Sequence, residues 1–134
     1  MESSERRGQM KLSEDDIRPI YLQISEGIKD DILKGLLNEE DQVPSTNQLV
    51  SLYKINPATA AKGINSLVEE GIIYKKRGIG MFIASGAKSE IIKTRKKAFF
   101  DEYVLKLMAE AQKLNIPKES IIEMINDADI CLKQ

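Results

Sequence analysis

VPSTNQLVSLYKINPATAAKGINSLVEEGIIYKKRGIGMFIA, residues 43–84, is the stretch that decides the fold. It contains two helix starts in close succession. At the first, Ser45 follows Val43-Pro44, and its hydroxyl can accept a helix-terminal N–H. Gln48 three residues later completes a capping box. Leu49, Val50 and Leu52 supply an apolar side, so a short helix should end near Tyr53. At the second, Asn56 is an N-cap and Pro57 a first-turn proline, whose missing N–H costs nothing there. Ala60, Ile64, Leu67 and Val68 follow at helical spacing, and Gly71 ends the run. Ile72–Lys76 and Met81–Ala84 then read as two short strands. Arg77-Gly78-Ile79-Gly80 between them holds two glycines that tolerate positive φ, which predicts a hairpin.

Working outward, an earlier helix is expected from about Pro19 to Lys34. Asp16 stands just upstream, Pro19 suits the first turn, and Gly35 is a stop. Ile20, Ile24, Ile28 and Ile32 make one apolar stripe. Leu36 to Val43, with Asn38, Glu39, Glu40 and Asp41, reads as an exposed loop. Three helices and a hairpin in this order are a winged helix-turn-helix, assigned to residues 17–85. Residues 1–16, MESSERRGQMKLSEDD, read as a flexible polar arm without the apolar core of a signal peptide.

Beyond Ser85-Gly86-Ala87 the pattern changes to a two-helix tail, residues 88–134. A long helix is expected from about Ser89 to Leu114, broken by Asn115-Ile116-Pro117, and a last one from about Pro117 to Leu132. Its apolar positions are too many for two helices to enclose. A second copy of the same pair would cover them, and closed two-fold dimers are the commonest solution. Phe99, Tyr103, Leu107, Ile121 and Ile125 are therefore the expected dimer interface. The fold class is α+β: a winged helix followed by a dimerisation tail.

Composition narrows the function. With 134 residues, 42% of them hydrophobic and 31% charged, the chain is of the globular class. It has no His and one cysteine, Cys131, which excludes zinc sites, Cys–His and Ser–His catalysis and an intrachain disulfide. Cys131 reads as a semi-buried filler. No apolar run approaches the ~20 residues of a membrane span, and the cytoplasm is the expected location. No metal, cofactor or enzyme activity is expected. The net charge is −1, yet between Tyr53 and Met81 five bases (Lys54, Lys62, Lys75, Lys76, Arg77) face only two acids, Glu69 and Glu70. Local charge is what meets a phosphate backbone.

In a helix-turn-helix the second helix enters the major groove N-terminus first. Asn56, Pro57, Ala58, Thr59 and Lys62 occupy that position. Asn56 and Thr59 can reach phosphate or a base edge, Ala58 and Ala61 a thymine methyl, and Lys62 a phosphate. Ser45, Thr46 and Asn47 open the preceding helix, where free N–H groups and the helix dipole favour phosphate. Lys75, Lys76, Arg77, Gly78 and Gly80 form a basic wing that can approach sugar and phosphate closely. A second basic run, Lys93, Arg95, Lys96 and Lys97, reads as a solvated helix face.

Four of these motifs together resemble the GntR family: Val43-Pro44-Ser45, Asn-Pro-x-Thr at 56–59, Leu-Val-Glu-Glu-Gly-Ile-Ile at 67–73 and Arg-Gly-x-Gly-x-Phe-Ile at 77–83. The resemblance covers about Arg18 to Ser85. The Asn-Pro-x-Thr form and the short tail are similar to the YtrA-like subfamily. This implies a repressor that binds a palindromic double-stranded DNA operator as a homodimer, with a transporter operon as its expected target. Many members carry arginines where this chain has Asn47 and Ala61, which implies fewer bidentate guanine contacts here. The tail leaves room for a small-molecule effector, but no residue marks its identity. The rival reading is a winged-helix protein-interaction module without DNA binding, which would favour an apolar or acidic surface at the wing.

Overall fold

Ile24, Ile28 and Ile32, at most 2% exposed, line one side of α1 (Ile20–Leu33), as their four-residue spacing requires. The computed structural model that shows this describes residues 10–134. Helices α2 (Thr46–Tyr53) and α3 (Pro57–Glu69) follow, then strands β1 (Ile73–Lys76) and β2 (Gly80–Ile83), and α4 (Ala87–Phe99). A π-helical turn, Phe100–Val104, joins α4 to α5 (Leu105–Lys113), and α6 (Lys118–Lys133) ends the chain. The architecture is the α+β winged helix that the sequence predicts.

The core is aliphatic. Leu49 of α2, Ala60, Ile64 and Leu67 of α3, and Ile72, Ile73 and Ile83 of the hairpin join the α1 stripe. Burying each large side chain contributes about 1.5–3 kcal/mol. Gly63 lets α3 press against α1: a Cβ there would stand 3.0 Å from the Tyr21 carbonyl oxygen and 3.1 Å from Ile24 Cγ2. Leu52 and Val68, expected on apolar faces, are instead 54% and 38% exposed, because each lies at the edge of its helix's buried stripe.

Helix ends follow the local chemistry. Ser45 and Gln48 form the full capping box, with Gln48 N–H on Ser45 Oγ at 3.1 Å and Ser45 N–H on Gln48 Oε1 at 2.8 Å. Gly71 (φ +77°) closes α3: its N–H bonds Val68 O and the Ile72 N–H bonds Leu67 O, both at 3.0 Å. That is a Schellman motif, and it turns the buried Ile72 back onto the core. Pro19 precedes the first helical residue instead of being it, and Asp16 is engaged by Arg18 at 2.8 Å. The Arg18 guanidinium holds the Asp16 carboxyl at about 2.

Two segments pack more closely than their composition suggests. Residues 10–16, grouped with the polar arm, are fastened to the domain. Met10 N–H donates to Tyr53 Oη at 2.7 Å, and Gln23 Nε2 donates to Ser13 O at 2.8 Å. Met10 and Leu12 also pack on the core. The remainder of that arm, residues 1–9, lies outside the described residues. The acidic stretch before Val43, read as a loop, pairs with β2: Glu40 N–H donates to Ile83 O at 2.8 Å and Val43 N–H to Met81 O at 2.9 Å.

The described chain forms two units that meet after Lys93. Ala87 and Ile91, assigned by sequence to the joint and the tail, are buried in the first unit's core. In the second unit Ala111 and Ile121 are buried, and Asn115 (φ +56°) closes α5 with Ile116 N–H on Ala111 O at 2.9 Å. Cys131 is exposed, not a filler. Among the described residues no helix is long and apolar enough to cross a membrane.

Candidate nucleic-acid interface

The start of α3 is set by Asn56, whose Oδ1 accepts the Ala58 N–H at 2.7 Å. Its main-chain oxygen accepts from Ala60 at 3.0 Å, and Pro57 has no N–H. Among the described residues this leaves the Thr59 N–H as the first-turn donor without an acceptor inside the helix. In α2, Ser45 satisfies Gln48 and Leu49, and the Thr46 and Asn47 N–H groups point out of the helix start. Two helix starts thus present orphan donors at the positive ends of their dipoles. Ser45, Asn47, Asn56, Pro57, Ala58 and Lys62 are exposed, and Thr46 and Thr59 half-buried. Between the helices Lys54 adopts φ +56°, which makes the sharp turn.

Asn56 and Thr59 share the wall of an open cavity of about 500 Å³ with Leu12, Ile20, Tyr21 and Tyr53. Lys62, one turn along, holds its Nζ 4.1 Å from the centre of the Tyr21 ring. Its charge therefore lies back against the start of α1.

In the wing, Ile73 pairs with Ile83 and Lys76 with Gly80 across the antiparallel register. Ile79 N–H donates to Lys76 O at 3.0 Å, closing the turn through Gly78 at φ +76°. Lys75, Lys76, Arg77 and Gly78 are exposed, and Gly80 half-buried. Lys76 is less free than its neighbours, because its Nζ stands 4.6 Å from the Phe82 ring centre and 5.9 Å from that of Tyr74. The Tyr74 hydroxyl donates to the Glu40 carboxylate. That bond, with desolvation, pushes the Tyr74 hydroxyl above its ordinary value.

Of the residues expected at a dimer interface, Phe99, Tyr103, Leu107 and Ile125 are exposed, Tyr103 by 62%. Phe99 and Tyr103 lie with ring centres 5.4 Å apart. Ile121 is 7% exposed in the single chain, so a second copy would gain little from it. Sequence reasoning missed the strap of residues 40–43, which pairs with β2, and the aromatic seats of Lys62 and Lys76. Only the apolar Val43 beside the acidic run hinted at the strap.

Residues 20–83 match the family described as bacterial regulatory proteins, gntR family. Over 115 residues the chain is 31% identical to the HTH-type transcriptional repressor YtrA of Bacillus subtilis (strain 168), covering 86% of this chain and 88% of that protein.

The chain belongs to the GntR family.

Solved structures agree with that membership. A protein of the GntR family from Bacteroides thetaiotaomicron superposes with a TM-score of 0.73 at 37% identity, covering 87% of this chain and all of that one. A transcriptional regulator from Oenococcus oeni gives 0.74 at 29% identity, with 87% and 96% covered. The GntR match ends at Ile83, the last residue of the wing. The YtrA and Bacteroides matches cover most of the chain, so the likeness is not confined to the winged helix.

Proposed function

We propose that this GntR protein is a transcriptional repressor that binds a palindromic double-stranded operator as a homodimer. The observation that carries the reading is the exposed, uncharged start of α3 in the same unit as a wing whose Lys75, Lys76 and Arg77 are all exposed. The α3 start is small enough to approach base edges. Asn56 and Thr59 reach base or phosphate, Ala58 packs on a thymine methyl, and Lys62 meets a phosphate. The N–H groups of Thr46 and Asn47 grip a second phosphate. The wing, with Gly78 and Gly80 at its tip, follows the backbone or the minor groove. The name of the similar YtrA supports repression.

Dimerisation is assigned to the tail, through Phe99, Tyr103, Leu107 and Ile125. Two linked winged helices then read two half-sites related by a dyad. The regulated genes form a transporter operon, a reading that rests on the YtrA-like pattern alone.

Footprinting on the promoter region of the chain's own gene tests this. Two protected half-sites of inverted sequence, about one helical turn apart or a multiple of it, are expected. A single protected half-site with no inverted partner would contradict the dimeric reading, and no protection at low salt would contradict DNA binding.

A further inference from the structure

Gln42 lies on the strap beside β2, where its backbone bridges Phe82. Its side chain crosses to the far end of the wing and donates from Nε2 to the Ile79 carbonyl at 3.2 Å. Ile79 is a tip residue, 66% exposed, whose N–H already closes the turn on Lys76 O. The two glycines of the tip differ in this respect. A Cβ on Gly78 would meet nothing within 4 Å, whereas a Cβ on Gly80 would collide with the Gln42 amide. Both glycines hold a positive φ, and Gly80 in addition leaves the space that the Gln42 side chain fills.

An isolated two-stranded hairpin is marginal in water. This one is braced at its base by Ile73 and Ile83 in the core and by Tyr74 on Glu40. At the tip, Lys76 rests its own side chain on the Phe82 ring, and beyond it Gln42 reaches in from outside the hairpin to hold the Ile79 backbone. Resting on the DNA-binding reading, we infer that Gln42 is a positioning residue for the wing. It holds the tip from Lys76 to Gly80 in the conformation that carries the basic side chains to the DNA backbone. Ordering the tip beforehand lowers the entropy lost on binding.

The test is a mutant cycle on the full chain with a duplex of its own promoter region. It uses the unsubstituted protein, Gln42→Ala, the wing variant K75A/K76A/R77A and all four substitutions combined. Gln42→Ala is expected to weaken binding about three- to tenfold, the range of one hydrogen bond. In the wing-variant background the same change is expected to cost less than about twofold, because there is no wing charge left to position. Equal losses in both backgrounds, or no loss in the first, would overturn the inference. A second readout needs no DNA: backbone NMR relaxation of the free protein. Gln42→Ala should increase fast motion at residues 76–80 and leave α3 unchanged; an unaltered tip would overturn the inference. If the unsubstituted protein fails to bind, the DNA-binding reading fails, and the relaxation result still decides whether Gln42 restrains the tip.

Discussion

Lys62 Nζ stands 4.1 Å from the centre of the Tyr21 ring, so the one basic side chain in α3 is seated on α1. A cation over an exposed aromatic ring gains about 0.5–1 kcal/mol, too little to withhold the charge from a phosphate. Lys62→Ala is expected to weaken DNA binding on all sequences and lower the salt slope by about one. Tyr21→Leu should leave the slope unchanged, since the charge remains. Titrations at several salt concentrations separate the two, and an unchanged slope for Lys62→Ala would remove Lys62 from the interface.

The α1–α3 crossing depends on Gly63. A methyl group there meets the Tyr21 carbonyl and Ile24 at 3.0–3.1 Å, with backbone on one side and a fully buried side chain on the other. Gly63→Ala sets an overpacking cost of about 1–3 kcal/mol against the roughly 1 kcal/mol that alanine gains over glycine inside a helix, so a net destabilisation of about 1 kcal/mol is expected. Thermal unfolding would show a fall of several degrees, and an unchanged midpoint would mean that the crossing relaxes freely.

Asp31 introduces a pH dependence. It is 7% exposed, and its Oδ2 has no hydrogen-bond partner among the described residues. Burial pushes its pKa up, with Lys34 opposing. Protonated Asp31 therefore favours the native state. That contribution is complete below the ordinary carboxylate value and lost as pH rises through the raised native value. At neutral pH the charged form is a liability, and it sits in the last turn of α1, the negative end of the dipole. Asp31→Asn should raise stability at pH 7 by about 1 kcal/mol. The gain should shrink towards pH 4 in melting scans, and a variant less stable at pH 7 would show that the carboxylate is satisfied.

How much of this was legible in the sequence depends on range. The Ser45–Gln48 box, the Asn56 cap, Gly71 and the isoleucine stripe are local patterns, and each forms where it was read. Interactions between distant segments were not legible. Glu40–Val43 pairs with β2 because that strand edge is open, and nothing in an acidic run announces it. Met10 docks in the room that Gly27 leaves on α1, and Leu12 packs on the core beside the start of that helix. The tail boundary was read from the small residues at 85–87, but Ile91 continues the winged-helix core by one more helical turn. The candidate DNA-contact residues were named by motif, whereas the groups that seat or brace them, Tyr21, Phe82 and Gln42, were not.

The position of Ile91 has its own consequence. A chain ending at Lys93 keeps Ile91, 2% exposed, in the core, and one ending at Ala87 loses it. The shorter chain is expected to be less stable by about 1.5–3 kcal/mol. Both should sediment as monomers, because Phe99, Tyr103 and Leu107 are gone. A dimer in either would move the interface out of the tail.

The most direct test of DNA recognition is the salt dependence of binding to the chain's own promoter region, with and without the wing charges. The unsubstituted protein is expected to bind at low salt, with affinity falling steeply as salt rises. In K75A/K76A/R77A the log–log slope should be shallower by roughly two to three, the release of one counterion per lost phosphate contact. Equal slopes for the two proteins, or no binding by either at low salt, would contradict a DNA interface built on this wing.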